Sequence, residues 1–87
     1  MTWQVILSRQ AVKDAKKVAQ AGLKPQAERL LHLLSVNPYQ TPPAYEKLVG
    51  NLHGYYSRRI SIQHRLVYSV LEAEHIVHIL RMLTLYE

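Results

Sequence analysis

The sequence predicts an α+β domain with the order β-α-α-β-β-β, in which a helical hairpin packs on one face of an antiparallel sheet. Three observations carry this expectation. The first third of the chain holds two stretches with apolar residues at helical spacing, separated by a glycine stop. From Tyr55 onward the composition turns to β-branched and aromatic residues in three short runs divided by polar turns. The chain has 87 residues, of which 48% are hydrophobic, enough for one packed core and too few for a second. Helices grouped before a run of strands are the mark of an α+β layer pair, so residues 1–87 are read as a single domain.

Trp3 to Leu7 is short and mostly apolar, and reads as the first strand. Ser8 then stands where a helix needs a side-chain cap, and the helix is expected to run to about Ala21. Val12, Ala15, Val18 and Ala19 form its apolar stripe, with Lys13, Lys16, Lys17 and Gln20 mostly outside it. Gly22 suits the helix stop and Pro25 the first turn of a second helix. Ala27, Leu30, Leu31 and Leu34 recur on one face of that helix, while Asn37-Pro38 ends it. Pro42-Pro43 keeps the following segment extended. Tyr55–Ser61, Arg65–Leu71 and His75–Leu83 then form a three-stranded meander, turning at 62–64 and at 72–74. One face of that sheet takes the hairpin, leaving the other for solvent or a ligand.

With 11 Lys and Arg against 6 Asp and Glu, the formal net charge is +5, which favours anionic partners. The distribution sharpens this. No acidic residue lies between Glu46 and Glu72, while the same stretch holds Lys47, Arg58, Arg59 and Arg65. Arginine is suited to phosphate because its planar fork donates hydrogen bonds in pairs. There is no cysteine, so disulfides and thiolate metal sites are excluded and a reducing cytoplasm is the simplest compartment. No apolar run approaches the roughly 20 residues of a membrane span, and the start of the chain lacks the pattern of a signal peptide. No membrane partner is expected, and no histidine pair has zinc-ligand spacing.

A carboxylate upstream of the meander (Glu46), arginines within it (Arg59, Arg65) and a phenol after it (Tyr86) have the makings of a site on the open sheet face. Such a set suits cleavage of RNA by its own 2′-hydroxyl. A carboxylate takes the hydroxyl proton, arginines neutralise the phosphorane, and an acid protonates the leaving 5′-oxygen; no metal or other cofactor is required. Spacing alone leaves the alternatives open: an Arg-Arg pair is as readily a solvated strand edge, and a lone loop glutamate is usually just solvated. Tyr55 and Tyr56 offer one ring for a base and one for the core, with Trp3 and Tyr68 read as core.

The run Asn51-Leu52-His53-Gly54-Tyr55-Tyr56-Ser57-Arg58-Arg59-Ile60, followed by His64-Arg65-Leu66-Val67-Tyr68 and preceded by Glu46-Lys47-Leu48, resembles the YoeB/RelE class of bacterial toxins. The resemblance spans essentially the whole chain. It implies a RelE/ParE-like fold and a toxin that cleaves mRNA in the A site of the 70S ribosome, inhibiting translation. By resemblance, Glu46 is the general base and Arg65 the phosphate-stabilising cation, while Lys47, Arg58 and Arg59 are the expected RNA contacts. A YefM-like antitoxin is the implied partner, and family analogy admits a homodimer. The alternative, a non-catalytic ParE-like toxin acting on DNA gyrase, shares the fold.

The C-terminus departs from the family pattern of an arginine, a spacer and His-Tyr. Here Arg81-Met82-Leu83-Thr84-Leu85-Tyr86-Glu87 keeps the tyrosine but places Leu85 where the general-acid histidine is expected. Leucine has no proton to give, and a phenol ordinarily titrates near 10, too high for an efficient acid. His53 and His64 are the nearby candidates to stand in, although a turn or surface histidine is the simpler reading of each. Replacing Leu85→His is therefore expected to raise single-turnover mRNA cleavage on ribosomes on the order of 10²-fold. A change below about threefold would instead assign the proton to another histidine or to a ribosomal group.

Overall fold

The computed structural model describes residues 3–41, 44–50, 54–62 and 64–82. The described elements run β1 (Gln4–Leu7), α1 (Arg9–Gln20), α2 (Lys24–Val36), β2 (Tyr45–Lys47), β3 (Tyr56–Arg59), β4 (Arg65–Leu71) and β5 (Ile76–Arg81). Local chemistry accounts for most of the boundaries. Ser8 caps α1, its Oγ accepting the Ala11 amide at 3.0 Å and so satisfying one of the amides a helix start leaves unpaired. Gly22 adopts a positive φ of 78° that reverses the chain between the helices. Pro25 lies in the first turn of α2, where its missing N–H costs nothing. At the far end Asn37 Oδ1 accepts the Tyr39 amide at 3.0 Å, a side-chain turn that prevents the helix from continuing.

The α+β class and the helical hairpin stand, but the sheet is mixed rather than antiparallel throughout. Its five strands lie in the order β1-β5-β4-β3-β2. The last three strands form the expected antiparallel meander. β1, however, inserts parallel to β5, with Val5 opposite Val77 and Leu7 opposite Ile79; the hairpin between them serves as the crossover that a parallel pair requires. A further strand, β2, was not expected: Tyr45–Lys47 pairs antiparallel with β3, so Glu46 sits in the ladder and not in a loop. The apolar stripe of α1 also differs. Ala11, Asp14 and Val18 are the buried positions, whereas Val12 is 48% exposed. The helix is rotated about its axis because Asp14, a carboxylate, finds partners on β5 and takes the central inward position.

Side chains alternate across the strands. Leu66, Tyr68, Val77 and Ile79 point to the face covered by the hairpin and pack against Ala11, Val18, Ala27, Leu30 and Leu34. The hairpin covers the β1–β5 side of this face. Toward β2 the same face carries an aromatic layer in which the Tyr56 ring lies 5.5 Å from Tyr45, 5.7 Å from Tyr68 and 6.2 Å from Tyr39. Buried within it is Arg58, 1% exposed. Its Nε donates to the Tyr68 hydroxyl at 2.9 Å and its Nη2 to the Pro38 carbonyl at 2.9 Å, and its guanidinium carbon lies 4.9 Å from the centre of the Tyr45 ring. Burial raises the Tyr68 pKa above its usual range, and the favourable Arg58 contact only partly offsets this. The expectation that Arg58 contacts RNA is therefore corrected: it is an internal cation that fastens the segment after α2 to the sheet.

That correction divides the Arg58-Arg59 doublet into an inner and an outer residue. Arg58→Met removes the guanidinium donors of the Tyr68 hydroxyl and the Pro38 carbonyl, leaving in that buried layer the long 3.5 Å hydrogen bond from the Tyr68 hydroxyl to Pro38, and should lower stability by about 2–4 kcal/mol. Arg59→Met, at an exposed position, should change it by no more than about 0.5 kcal/mol. Urea denaturation of the two variants measures the difference.

Candidate active site

The face away from the hairpin assembles a cation–carboxylate cluster by register. Glu46 of β2 lies opposite Ser57 of β3, and Arg59 of β3 lies opposite Arg65 of β4. Ser57 and Arg59 are two apart on one strand, so all four side chains share a face. Arg65 Nη1 donates to Glu46 Oε1 at 3.2 Å and to Ser57 Oγ at 3.3 Å. Together with Ala44, these residues line a groove of about 290 Å³. Burial is graded across it. Ser57 is 1% exposed, the Arg65 side chain 25% and the Glu46 side chain 67%, so the guanidinium rests on a fixed hydroxyl while the carboxylate faces solvent.

Chemically, the groove offers a proton acceptor and two guanidiniums within one site. A phosphodiester held by Arg65 and Arg59 would place its neighbouring ribose hydroxyl close to Glu46, the arrangement that base-assisted attack on phosphorus requires. Ser57 was missed from the sequence. Its signal was its place in the Ser-Arg-Arg run, where alternation aligns it with Arg59. Arg29 was also missed. It borders an adjoining groove of about 320 Å³ with Gln26, Leu30, Leu33, Arg59 and Ile60, so Arg59 stands on the shared rim of the two grooves.

The other expected site residues divide clearly. Lys47 pairs with Tyr56 and therefore lies on the opposite sheet face from Glu46; it borders a separate groove of about 230 Å³ with Leu48, Gly54, Tyr55 and Tyr56. Of the two tyrosines, Tyr56 belongs to the internal aromatic layer, and Tyr55 lines this groove. His64 Nδ1 is 3.1 Å from Ser61 Oγ in the turn before β4, which gives it a structural partner. His53, Leu85 and Tyr86 lie outside the described residues. Among the described residues no helix is long and apolar enough to cross a membrane, and no group of three His, Asp or Glu side chains is placed to hold a metal ion.

The model of one protein family matches residues 8–86, the YoeB-like toxins of bacterial type II toxin–antitoxin systems. The chain belongs to this family. Structural neighbours agree. The YoeB–YefM complex from Staphylococcus aureus contains a chain 33% identical to this one, superposing with a TM-score of 0.80 over 97% of this chain and 98% of that one. A YoeB/ParE toxin from Agrobacterium tumefaciens shares the fold at a TM-score of 0.84 and 22% identity, over 95% of this chain and 99% of that one. The toxin–antitoxin complex DinJ–YafQ from E. coli likewise shares the fold, at 0.82 and 21% identity over the full length of both chains. No curated protein sequence matches significantly. The protein is thus a toxin of the YoeB-like family.

Because the Glu46–Arg65 pair is largely solvent-exposed on its acidic side, it contributes little to folding. Glu46→Gln should lower stability by less than about 1 kcal/mol, as read from thermal unfolding. That variant therefore separates loss of chemistry from loss of structure.

Proposed function

We propose that this toxin is a metal-independent endoribonuclease that cleaves mRNA in the A site of the 70S ribosome in the bacterial cytoplasm, and so inhibits translation. The observation that carries the reading is the Glu46–Arg65 pair at 3.2 Å, held in a groove that Arg59 and Ser57 complete. Glu46 accepts the 2′-hydroxyl proton, and the freed oxygen attacks the adjacent phosphorus. Arg65, joined by Arg59, stabilises the charge that builds on the phosphoryl oxygens. The bond to the 5′-oxygen breaks, leaving a 2′,3′-cyclic phosphate, and the departing oxygen takes a proton from an acid. Tyr86 stands in the family's tyrosine position and Leu85 in that of the histidine, so protonation of the leaving group is the weak step in this chain.

The S. aureus relative forms a complex with YefM and has also been solved as a dimer. A YefM-like antitoxin is the partner expected here, and a homodimer is the family alternative for the free toxin. The groove beside α2 suits an acidic antitoxin segment. Its floor is apolar (Leu30, Leu33, Ile60) and its rim carries Arg29 and Arg59, the pattern that receives an amphipathic peptide. Occupation of that groove would reach Arg59 and so intrude on the site.

The shallow geometry of the site supports ribosome dependence: the Glu46 side chain is 67% exposed, and on this reading the ribosome supplies the in-line placement of the 2′-oxygen. Purified mRNA alone should be cut negligibly, and P-site-loaded ribosomes should restore cutting. Glu46→Ala and Arg65→Ala should abolish it. Ribosome binding should weaken steeply with salt, since cationic contacts displace counterions from ribosomal RNA. Mapping mRNA 5′-hydroxyl ends in a translation extract tests this, with a gyrase supercoiling assay alongside. Efficient cutting of naked mRNA would overturn ribosome dependence, and gyrase inhibition without mRNA ends would overturn the nuclease reading.

A further inference from the structure

One groove takes no part in the mechanism above. It opens on the sheet face opposite the Glu46–Arg65 pair, has a volume of about 230 Å³, and is bordered by Lys47, Leu48, Gly54, Tyr55 and Tyr56. Backbone pairing builds it. Lys47 of β2 lies opposite Tyr56 of β3. The Leu48 amide then donates to the Tyr55 carbonyl at 2.9 Å, which carries the ladder one rung past the end of β2. The backbone on both sides of the groove is therefore fixed by the sheet and not by a free loop.

Three features single this groove out. Lys47 is exposed and has no ion-pair partner among the described residues. Tyr39, Tyr45, Tyr56 and Tyr68 pack ring against ring. Tyr55, half-buried at the groove, has neither a ring contact nor a side-chain hydrogen bond among the described residues. Gly54 adopts a φ of 94°, and a Cβ there would meet nothing within 4 Å, so bare backbone leaves one side of the groove open to a ligand. No acidic side chain is among the described residues that border it.

An unpaired ammonium beside an unpacked aromatic ring matches a ligand that is both anionic and flat. Single-stranded RNA has this chemistry: basic side chains follow its phosphates while aromatic side chains stack on its bases. An acidic peptide would use Lys47 and leave the ring idle. The groove is also smaller than the roughly 300–1,000 Å³ of a small-molecule pocket, which suits one base. Its place in the sheet connects it to the catalytic groove. β2 is the terminal strand, and Glu46 and Lys47 are consecutive on it, so they serve opposite faces of one open edge. A strand of RNA crossing that edge touches both grooves.

We propose that this groove is a second nucleotide subsite, in which a base of the message stacks on Tyr55 and its phosphate pairs with Lys47, while the scissile phosphate lies at Arg65 across the β2 edge. Its use in cleavage rests on the nuclease reading; the binding itself rests on the groove alone. The probe is a fluorescein-labelled 2′-O-methyl hexauridylate, which cannot be cut because its attacking hydroxyls are blocked. Anisotropy at low salt reads its binding to the full chain. Tyr55→Leu should weaken binding on the order of 10-fold, the loss of one stacked base, and Tyr55→Phe should retain it. Lys47→Gln should weaken binding and lower the slope of log Kd against log salt by about 0.7, the share of one phosphate on a single strand. In the parent chain the probe should shift the amide resonances of Lys47, Leu48, Gly54 and Tyr55.

Unaltered affinity and salt slope in Tyr55→Leu and Lys47→Gln overturn the proposal, as do resonance shifts confined to Glu46, Ser57, Arg59 and Arg65. Equal binding of a polyglutamate peptide, with Tyr55→Leu without effect, overturns it in favour of a general anion patch. If Tyr55→Leu fails to fold, Lys47→Gln at its exposed position and the resonance shifts decide. On ribosome-bound mRNA each weakening variant should raise KM with kcat little changed, because the subsite holds ground and transition states alike. An unaltered KM beside weakened probe binding would overturn the subsite's use in cleavage. Absence of mRNA 5′-hydroxyl ends from both the parent and the Leu85→His chains would overturn the nuclease reading, while probe binding still judges the subsite.

Discussion

Burial of the Arg58 guanidinium is the constraint on which the site depends. A charge taken out of water is tolerable only when its donors find acceptors. Here the Tyr68 hydroxyl and the Pro38 carbonyl provide them, with the Tyr45 ring at the guanidinium's side. Once Arg58 is fixed inward, alternation leaves no choice for its neighbours: Ser57 and Arg59 must face the other way. A one-residue slip of β3 would put Arg59 into the aromatic layer and Arg58 into the groove, exchanging every side chain between faces. The inner arginine therefore acts as a register pin for the outer one. It also ties the segment after α2 to the sheet through Pro38, ahead of β2, the strand that brings Glu46 to its place.

Some of this was legible in the sequence and some was not, for physical reasons. The helical hairpin followed from capping and stop residues whose effects are local: Ser8, Gly22, Pro25 and Asn37. The meander followed from period-2 patterning between polar turns. The parallel insertion of β1 beside β5 was not legible, because strand order is set by long-range packing and Trp3–Leu7 carries no mark of its neighbour. Nor was β2. Three residues behind a Pro-Pro pair give no alternation to read, and their strand character comes from pairing with Tyr56–Arg58. Within the site, Glu46, Arg59 and Arg65 were legible as chemistry, and the structure brings them together. The roles of Arg58 and Asp14 were hidden because a charged residue normally reads as surface. Each becomes intelligible only when its acceptors or donors, more than ten residues away or on another element, are known.

The two carboxylate–arginine pairs at either side of β4 and β5 then sort by environment. Asp14–Arg81 has a fully buried acid, and breaking one partner strands an uncompensated charge, so the pair resists exchange. Glu46–Arg65 has an acid two-thirds exposed, and water competes with every bond it makes, so the pair is held by no more than about 1 kcal/mol. On the proposed nuclease reading, that exchangeability has a use. A phosphodiester competing for the Arg65 guanidinium would loosen the exposed Glu46 carboxylate and leave it able to accept a proton, while the buried Ser57 hydroxyl, 3.3 Å from Arg65 Nη1, would remain a partner for the arginine throughout.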